Sequence, residues 1–179
     1  MGKSSIPPIL GKRIRLRMLE ESDLPMTLRW RNQEHIRKWF FTPDLINAEQ
    51  HRAWFESYRE QDDDYVFIIE ETLSLHRPVG QVALYHIDWL AKRAEFGRLM
   101  IGEPDAAGTG LAREATRLLV NHALNSWELD EVYLEMFEDN VRALAIYTGC
   151  GFEITGRRVN VVTMSKRKGN HLPQGVIRR

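Results

Sequence analysis

The strongest constraint on this chain lies between Ala94 and Phe137, where the hydrophobic period changes twice. Ala94 to Ile101 reads as a strand that stops just before a run of small residues. From Gly108 onward Leu111, Ala115, Leu118, Leu119 and His122 fall at i, i+4, i+7, i+8 and i+11, one stripe of an amphipathic helix. Glu131 to Phe137 then returns to strict alternation, the mark of a half-buried strand. Strand, small-residue loop, helix and strand in this order commit the chain to a mixed α/β fold.

The flanking segments extend that reading. Ile14 to Leu19 alternates apolar and charged residues, and Glu21-Ser22-Asp23 opens a helix over Leu24 to Arg31. Asn47, with Gln50 three residues on, has capping-box spacing for a second helix whose Ala48, Trp54, Phe55 and Tyr58 suit one face. Strands are expected over Tyr65–Ile69 and Val79–Ile87, the latter hairpinned to Ala94–Ile101 through Trp89 to Lys92. Asp139 and Asn140 cap a helix ending at Gly149, and closing strands are expected at Phe152–Ile154 and Val161–Met164. The order is β-α-α-β-β-β-α-β-α-β-β. It implies one domain over residues 11–168, a flexible segment at 1–10 and a polar, frayed tail at 169–179.

Composition narrows the function classes. Lys and Arg number 25 and Asp and Glu 25, so the chain lacks the basic excess of a nucleic-acid binder. The single Cys150 leaves no intramolecular disulfide and no Cys-x-x-Cys metal site, and no metal is expected. No apolar run approaches the roughly 18 residues of a membrane helix, and the N-terminus lacks a signal-peptide core. A cytoplasmic protein without membrane or nucleic-acid partners is the expectation.

Two segments carry chemistry. In Ile101-Gly102-Glu103-Pro104-Asp105-Ala106-Ala107-Gly108-Thr109-Gly110-Leu111-Ala112, small residues let backbone amides converge at a helix start, where phosphate is favoured. Taken alone, the loop fits a tight turn equally well. In Asn140-Val141-Arg142-Ala143-Leu144-Ala145-Ile146-Tyr147-Thr148-Gly149-Cys150-Gly151-Phe152, Asn140, Ala143 and Tyr147 share one helix face. Tyr147 by itself suits packing as well as chemistry.

Together these segments resemble the GNAT acetyltransferase superfamily over about Gly11 to Met164. Gly110 and Ala112 match its Gln/Arg-x-x-Gly-x-Gly/Ala loop, while Asn140, Ala143, Tyr147, Gly151 and Phe152 match its Asn-x-x-Ala-x-x-x-Tyr-x-x-x-Gly-Phe pattern. The resemblance implies a single-domain α/β fold with a mixed, mostly antiparallel twisted sheet flanked by helices. It also implies acetyl-coenzyme A (acetyl-CoA) as cosubstrate, its pyrophosphate on the backbone of Ala107, Gly108, Thr109, Gly110, Leu111 and Ala112. Leu99, Met100 and Ile101 would hold the thioester and pantetheine arm, with Asn140 and Ala143 beside them. Tyr147 would protonate the departing thiolate, and Glu95 would accept a proton from the amine, with His51 or water as the alternative acceptors. Ala107 and Thr109 depart from the family's usual Gln or Arg and Lys; Arg113 or Arg142 are the nearby cations that would compensate. Cys150, at a helix end, reads as packing rather than as an acyl-carrying nucleophile.

The acceptor is a small-molecule primary amine in this reading. Trp30-Arg31-Asn32, Ile36-Arg37-Lys38-Trp39 and His51-x-x-Trp54-Phe55 resemble GNAT members that acetylate nucleotide-linked 4-amino sugars, as in the pseudaminic-acid pathway. They are less similar to ribosomal-protein alanine and spermidine acetyltransferases. Trp30, Arg31, Asn32, Trp39 and His51 are the expected acceptor-binding residues. Protein N-terminal or polyamine acetylation, and a non-catalytic acetyl-CoA-binding module, are the alternatives. Relatives often form dimers, so a homodimer is a further expectation.

Overall fold

The computed structural model describes residues 2–169. Its eight strands are β1 (Ile9–Leu10), β2 (Ile14–Met18), β3 (Tyr65–Glu71), β4 (Arg77–Asp88), β5 (Arg93–Ile101), β6 (Glu131–Phe137), β7 (Glu153–Arg158) and β8 (Val161–Arg167). They form one sheet in the order β1-β2-β3-β4-β5-β6-β8-β7. Every neighbouring pair is antiparallel except β5 and β6, which run parallel. The helices are α1 (Leu24–Arg31), α2 (Glu34–Arg37), α3 (Ala48–Glu60), α4 (Leu111–Asn125) and α5 (Val141–Gly149).

Helices cover both faces of the sheet, which explains why Tyr65 to Ile69 reads as a continuous apolar run. Alternate residues of β3 feed two cores. Phe67 and Ile69 join Leu84, Phe96, Leu119 and Val132 under α4 and α5. Val66 and Ile68 join Trp30, Tyr58, Ala83 and Met100 under α1 and α3. The predicted α4 stripe faces inward: Leu111, Ala115 and Leu119 are buried. The capping box at α3 forms as its spacing requires, Asn47 accepting from the Gln50 amide at 2.8 Å and Gln50 from the Asn47 amide at 2.9 Å.

Some expectations need correction. Residues 2–10 do not stand apart from the domain. Ile9 is buried, Ile9–Leu10 pairs with β2, and the Lys3 ammonium sits 4.0 Å and 4.4 Å above the rings of Tyr58 and Tyr65. Two residues of strand and scattered contacts leave no periodic trace. Helix α2, at four residues, is likewise too short to show a period. The tail expected beyond Gly169 lies outside the described residues.

Two irregularities shape the middle of the sheet. Gln81 faces Met100 and Ala83 faces Gly97, so β5 carries one residue more than β4 across this stretch. The extra residue is a bulge, with Arg98 at a φ of 51°. On its other edge β5 pairs with β6 only through Arg93, Ala94 and Glu95. From Phe96 onward the two parallel strands diverge, leaving one edge of β5 without a strand partner.

Candidate active site

The site is built around that open edge. At its far end the chain turns through Pro104–Ala106 into the loop before α4. Gly108 and Gly110 adopt φ values of 72° and 86°, a region that favours glycine. Gly110 caps α4, and no side chain bonds to the first-turn amides. Uncapped amides at a helix N-terminus form an anion site. Thr109 turns inward, its hydroxyl donating to the Ala106 carbonyl at 2.7 Å, and Arg13 Nη1 donates to the Thr109 carbonyl at 2.9 Å. Of the two nearby cations, Arg142 stands beside the cradle: its Nη2 lies 3.5 Å from where a Gly108 β-carbon would sit. Arg113 lies against Gly149 instead.

At the near end, Glu95 faces Tyr85 on β4 and Tyr133 on β6, so the three side chains form a row on the α1/α3 face. Glu95 is the last β5 residue paired with β6 and therefore sits at the apex of the gap. Tyr147 approaches from the α4/α5 face, its ring edge-on to Phe96 at 5.8 Å and to Phe152 at 5.9 Å. Burial, with Tyr85 and Cys150 nearby, raises the Tyr147 phenol pKa well above its ordinary value. The phenol is thus protonated at neutral pH. A carboxylate and a neutral phenol from opposite faces of one gap suit a base and an acid acting on the two ends of a transferring group. Asn140 caps α5, its Oδ1 accepting from the Ala143 amide at 3.2 Å, which orients the helix that presents Tyr147. Cys150 is buried, with Sγ 3.7 Å from the Arg113 carbonyl, and burial raises its pKa. A buried thiol of that kind is a poor nucleophile.

On the α1/α3 face a cavity of 420 Å³ opens beside the bulge, lined among others by Arg31, Phe40, His51, Trp54, Arg98 and Met100. Burial first, and then Arg31, lower the His51 pKa, so its imidazole is neutral at neutral pH. Its Nε2 lies 2.9 Å from the Thr27 hydroxyl, and its ring stacks on Trp54 at 5.5 Å. Arg31 is buried and donates through Nη2 to the Thr42 carbonyl, while its enclosed Nη1 has no partner among the described residues. Arg98 is held by both oxygens of Asp64, at 2.7 Å and 3.0 Å.

The sequence model of the acetyltransferase (GNAT) domain matches residues 13–153. This chain belongs to the GNAT acetyltransferase family. Spermidine N(1)-acetyltransferase of Vibrio cholerae is 23% identical over 150 residues, covering 84% of each chain. Alpha/beta-tubulin-N-acetyltransferase 9 of Drosophila melanogaster is 28% identical over 165 residues, 86% of this chain and 81% of that one. Among solved structures, the V. cholerae spermidine N-acetyltransferase in complex with CoA and spermine matches with a TM-score of 0.80 at 22% identity, covering 88% of this chain and 97% of that one. That likeness shows the fold.

As a GNAT acetyltransferase the chain uses acetyl-CoA, and the glycine-built, uncapped α4 terminus fits its pyrophosphate. Leu99, Met100 and Ile101 lie on the open edge of β5, with Met100 also reaching the cavity. Of the expected acceptor residues, Arg31 and His51 line the cavity; Trp30, Asn32 and Trp39 do not. Trp30 is a core residue whose indole N–H donates to Glu103 at 2.9 Å. Its ring fills the space where a Gly102 side chain would stand, 2.0 Å from a β-carbon there. Asn32 clamps the loop before α3, bonding both the amide and the carbonyl of Ile46. Trp39 lies partly exposed under Lys38. Asp64, just before β3, is buried on Arg98. Arg98 and Tyr85 escaped the sequence reading: nothing local marks a bulge at an arginine, and the hairpin expected between Val79–Ile87 and Ala94–Ile101 left open which residue would face Glu95.

Proposed function

We propose that this chain moves the acetyl group of acetyl-CoA directly onto a primary amine of a small molecule in a ternary complex. The observation that supports this is the division of labour across β5: an anion cradle and open backbone edge for one substrate, a side-chain cavity for the other. Acetyl-CoA supplies the acyl group as an activated thioester. The backbone of Leu99 to Ile101 receives its carbonyl and arm, Glu95 takes a proton from the acceptor ammonium, and Tyr147 gives one to the departing thiolate.

For the acceptor, the spermidine acetyltransferases among the relatives favour a polyamine over a nucleotide-linked amino sugar. A second reading rests on one feature of the cavity. Arg31, buried with an unpartnered Nη1 and no carboxylate within ion-pair distance among the described residues, suits an acceptor that carries an anion beside its amine. A nucleotide-linked amino sugar is such an acceptor, and spermidine is not. A homodimer belongs to the same proposal: β7 ends the sheet with its residues largely exposed, an edge that pairing would cover.

The test is a panel of spermidine, a nucleoside-diphosphate-linked 4-amino sugar and a peptide with a free N-terminus, each incubated with acetyl-CoA and weighed for a gained acetyl group. Calorimetric titration with acetyl-CoA accompanies it. Binding that Gly110→Val abolishes, with transfer to one amine, is expected. Binding without transfer to any amine would identify a non-catalytic module, and absence of binding would overturn the cradle. Sedimentation velocity reads the oligomeric state.

A further inference from the structure

Acetylating a protonated amine releases one proton per turnover: an ammonium and a thioester become an amide, a thiol and H⁺. The second N–H proton lost from nitrogen balances the one that Tyr147 gives to the thiolate. The first passes to Glu95 and has to leave, because a protonated Glu95 cannot serve the next ammonium. The Glu95 side chain is half-buried, 14% exposed, on the sheet face between Tyr85 and Tyr133.

Among the described residues, the exposed group bonded to it is His86. His86 Nδ1 lies 3.0 Å from Glu95 Oε2, and the His86 side chain is 69% exposed. Strand alternation would send His86 to the face opposite Tyr85, away from Glu95. Instead the β4–β5 register breaks between Tyr85 and Asp88, and His86 takes a φ of 47°. That left-handed conformation is uncommon for a side-chain-bearing residue, and such strain gathers at functional sites. Its effect here is to bring the imidazole onto the carboxylate. The other groups around the pair are Tyr85, edge-on to His86 at 4.9 Å, Arg98 over the Tyr85 ring at 4.2 Å, Tyr133, and Arg93 over the Tyr133 ring at 4.3 Å. None of these is a neutral acceptor that also faces water.

We infer that His86 is the proton exit of the active site. Its Nδ1 takes from Glu95 Oε2 the proton removed from the amine, and its Nε2 releases a proton to bulk water. Glu95 returns to carboxylate and His86 to neutral imidazole, whose exposed ring regains its starting tautomer by exchange with solvent. His86 touches no substrate and acts through Glu95. The inference rests on the acetyl-transfer reading above.

The experiment compares wild type, His86→Ala and His86→Gln on whichever panel amine the wild type acetylates, with both substrates saturating and the solution weakly buffered. In both variants kcat is expected to fall about tenfold, with both KM values unchanged. Added imidazole should restore kcat of His86→Ala towards wild type. The amide introduced by His86→Gln keeps an N–H donor towards Glu95 but cannot carry a proton. Wild-type kcat in that variant would therefore reduce His86 to an orienting contact and overturn the relay. Unchanged kcat in His86→Ala, or a loss that imidazole does not restore, overturns it as well. A wild-type chain that binds acetyl-CoA and acetylates no amine overturns the transfer reading instead.

Discussion

Replacing Tyr147 by Phe separates chemistry from packing more cleanly than any other change in this site. The ring would keep its edge-on contacts with Phe96 and Phe152, so its apolar burial is retained. The hydroxyl has no hydrogen-bond partner among the described residues, yet it is not among the fully enclosed unpartnered atoms, which are Arg31 Nη1 and Arg37 Nε. Its removal therefore orphans no partner among the described residues. Stability should change by less than about 1 kcal/mol. Because burial raises the phenol pKa, the folded state favours the neutral form. That contribution is complete below the ordinary value of 10.0 and is lost as pH rises through the folded value, so at neutral pH the proton is in place to be donated. Losing a positioned acid costs about 10²–10⁴ in turnover, or about 3–5 kcal/mol of barrier. Thiol release read with a chromogenic disulfide, beside urea unfolding and an acetyl-CoA titration, gives all three quantities. If kcat stayed within about threefold of wild type, or fell only in step with stability or affinity, Tyr147 would be a packing residue.

Three further changes test other parts of the structure. Gly102→Ala would put a β-carbon 2.0 Å from the Trp30 ring, forcing the indole off Glu103; overpacking and the lost charge-assisted bond together should lower unfolding stability by about 3 kcal/mol, and a loss under about 1 kcal/mol in urea would refute the close contact. Arg31→Met removes a buried charge that has no carboxylate partner, so stability should hold within about 1 kcal/mol. KM for a phosphate-bearing acceptor should rise about tenfold or more while KM for spermidine does not, and equal effects on both would count against the anion reading. Glu71, the last residue of β3, accepts from the amides of Leu75, Leu73 and Ser74 in the turn that follows, which lower its pKa to about 2. Its contribution is present above the ordinary 4.5 and fades as pH falls towards about 2, so Glu71→Gln should flatten the stability curve between those values; an unchanged acid limb in thermal melts would sink the assignment.

What could be read in the sequence was what neighbours in the chain decide. The Asn47–Gln50 box, the Asn140 cap and the left-handed glycines before α4 are each set within a few residues, and each stands where its spacing put it. The divergence of β5 from β6 depends on residues far apart in the chain and leaves no local pattern. Arg98 and His86 occupy backbone conformations that usually announce themselves through glycine, so their bulges were silent. The tryptophans show the same limit from the side of packing. Trp30, Trp39 and Trp54 look alike in one short span, yet the first wedges against Gly102, the second lies outside the cavity and the third lines it. Only the position of β5 tells them apart.

The two sides of β5 also differ in how much a distant relative can reveal about them. On the cradle side, the proposed recognition runs through backbone: two glycines at positive φ, the first-turn amides of α4 and a strand edge left unpaired. Side-chain changes there, such as Ala107 and Thr109, leave those donors in place, which is why acetyl-CoA follows from the family. On the cavity side nearly every contact is a side chain: Arg31, His51, Trp54, Arg98 and Phe40 decide charge, shape and polarity. A relative 23% identical does not by itself fix those side chains, so its acceptor comes to this chain only as a proposal. The charge state of the cavity is a separate guide, and it underlies the second reading proposed above. With Arg98 neutralised by Asp64 and His51 held neutral, Arg31 is the unbalanced buried cation, and only the exposed Asp44 at the rim opposes it. In that second reading a polyamine entering here would meet a like charge, whereas an amine with a neighbouring anion would relieve it.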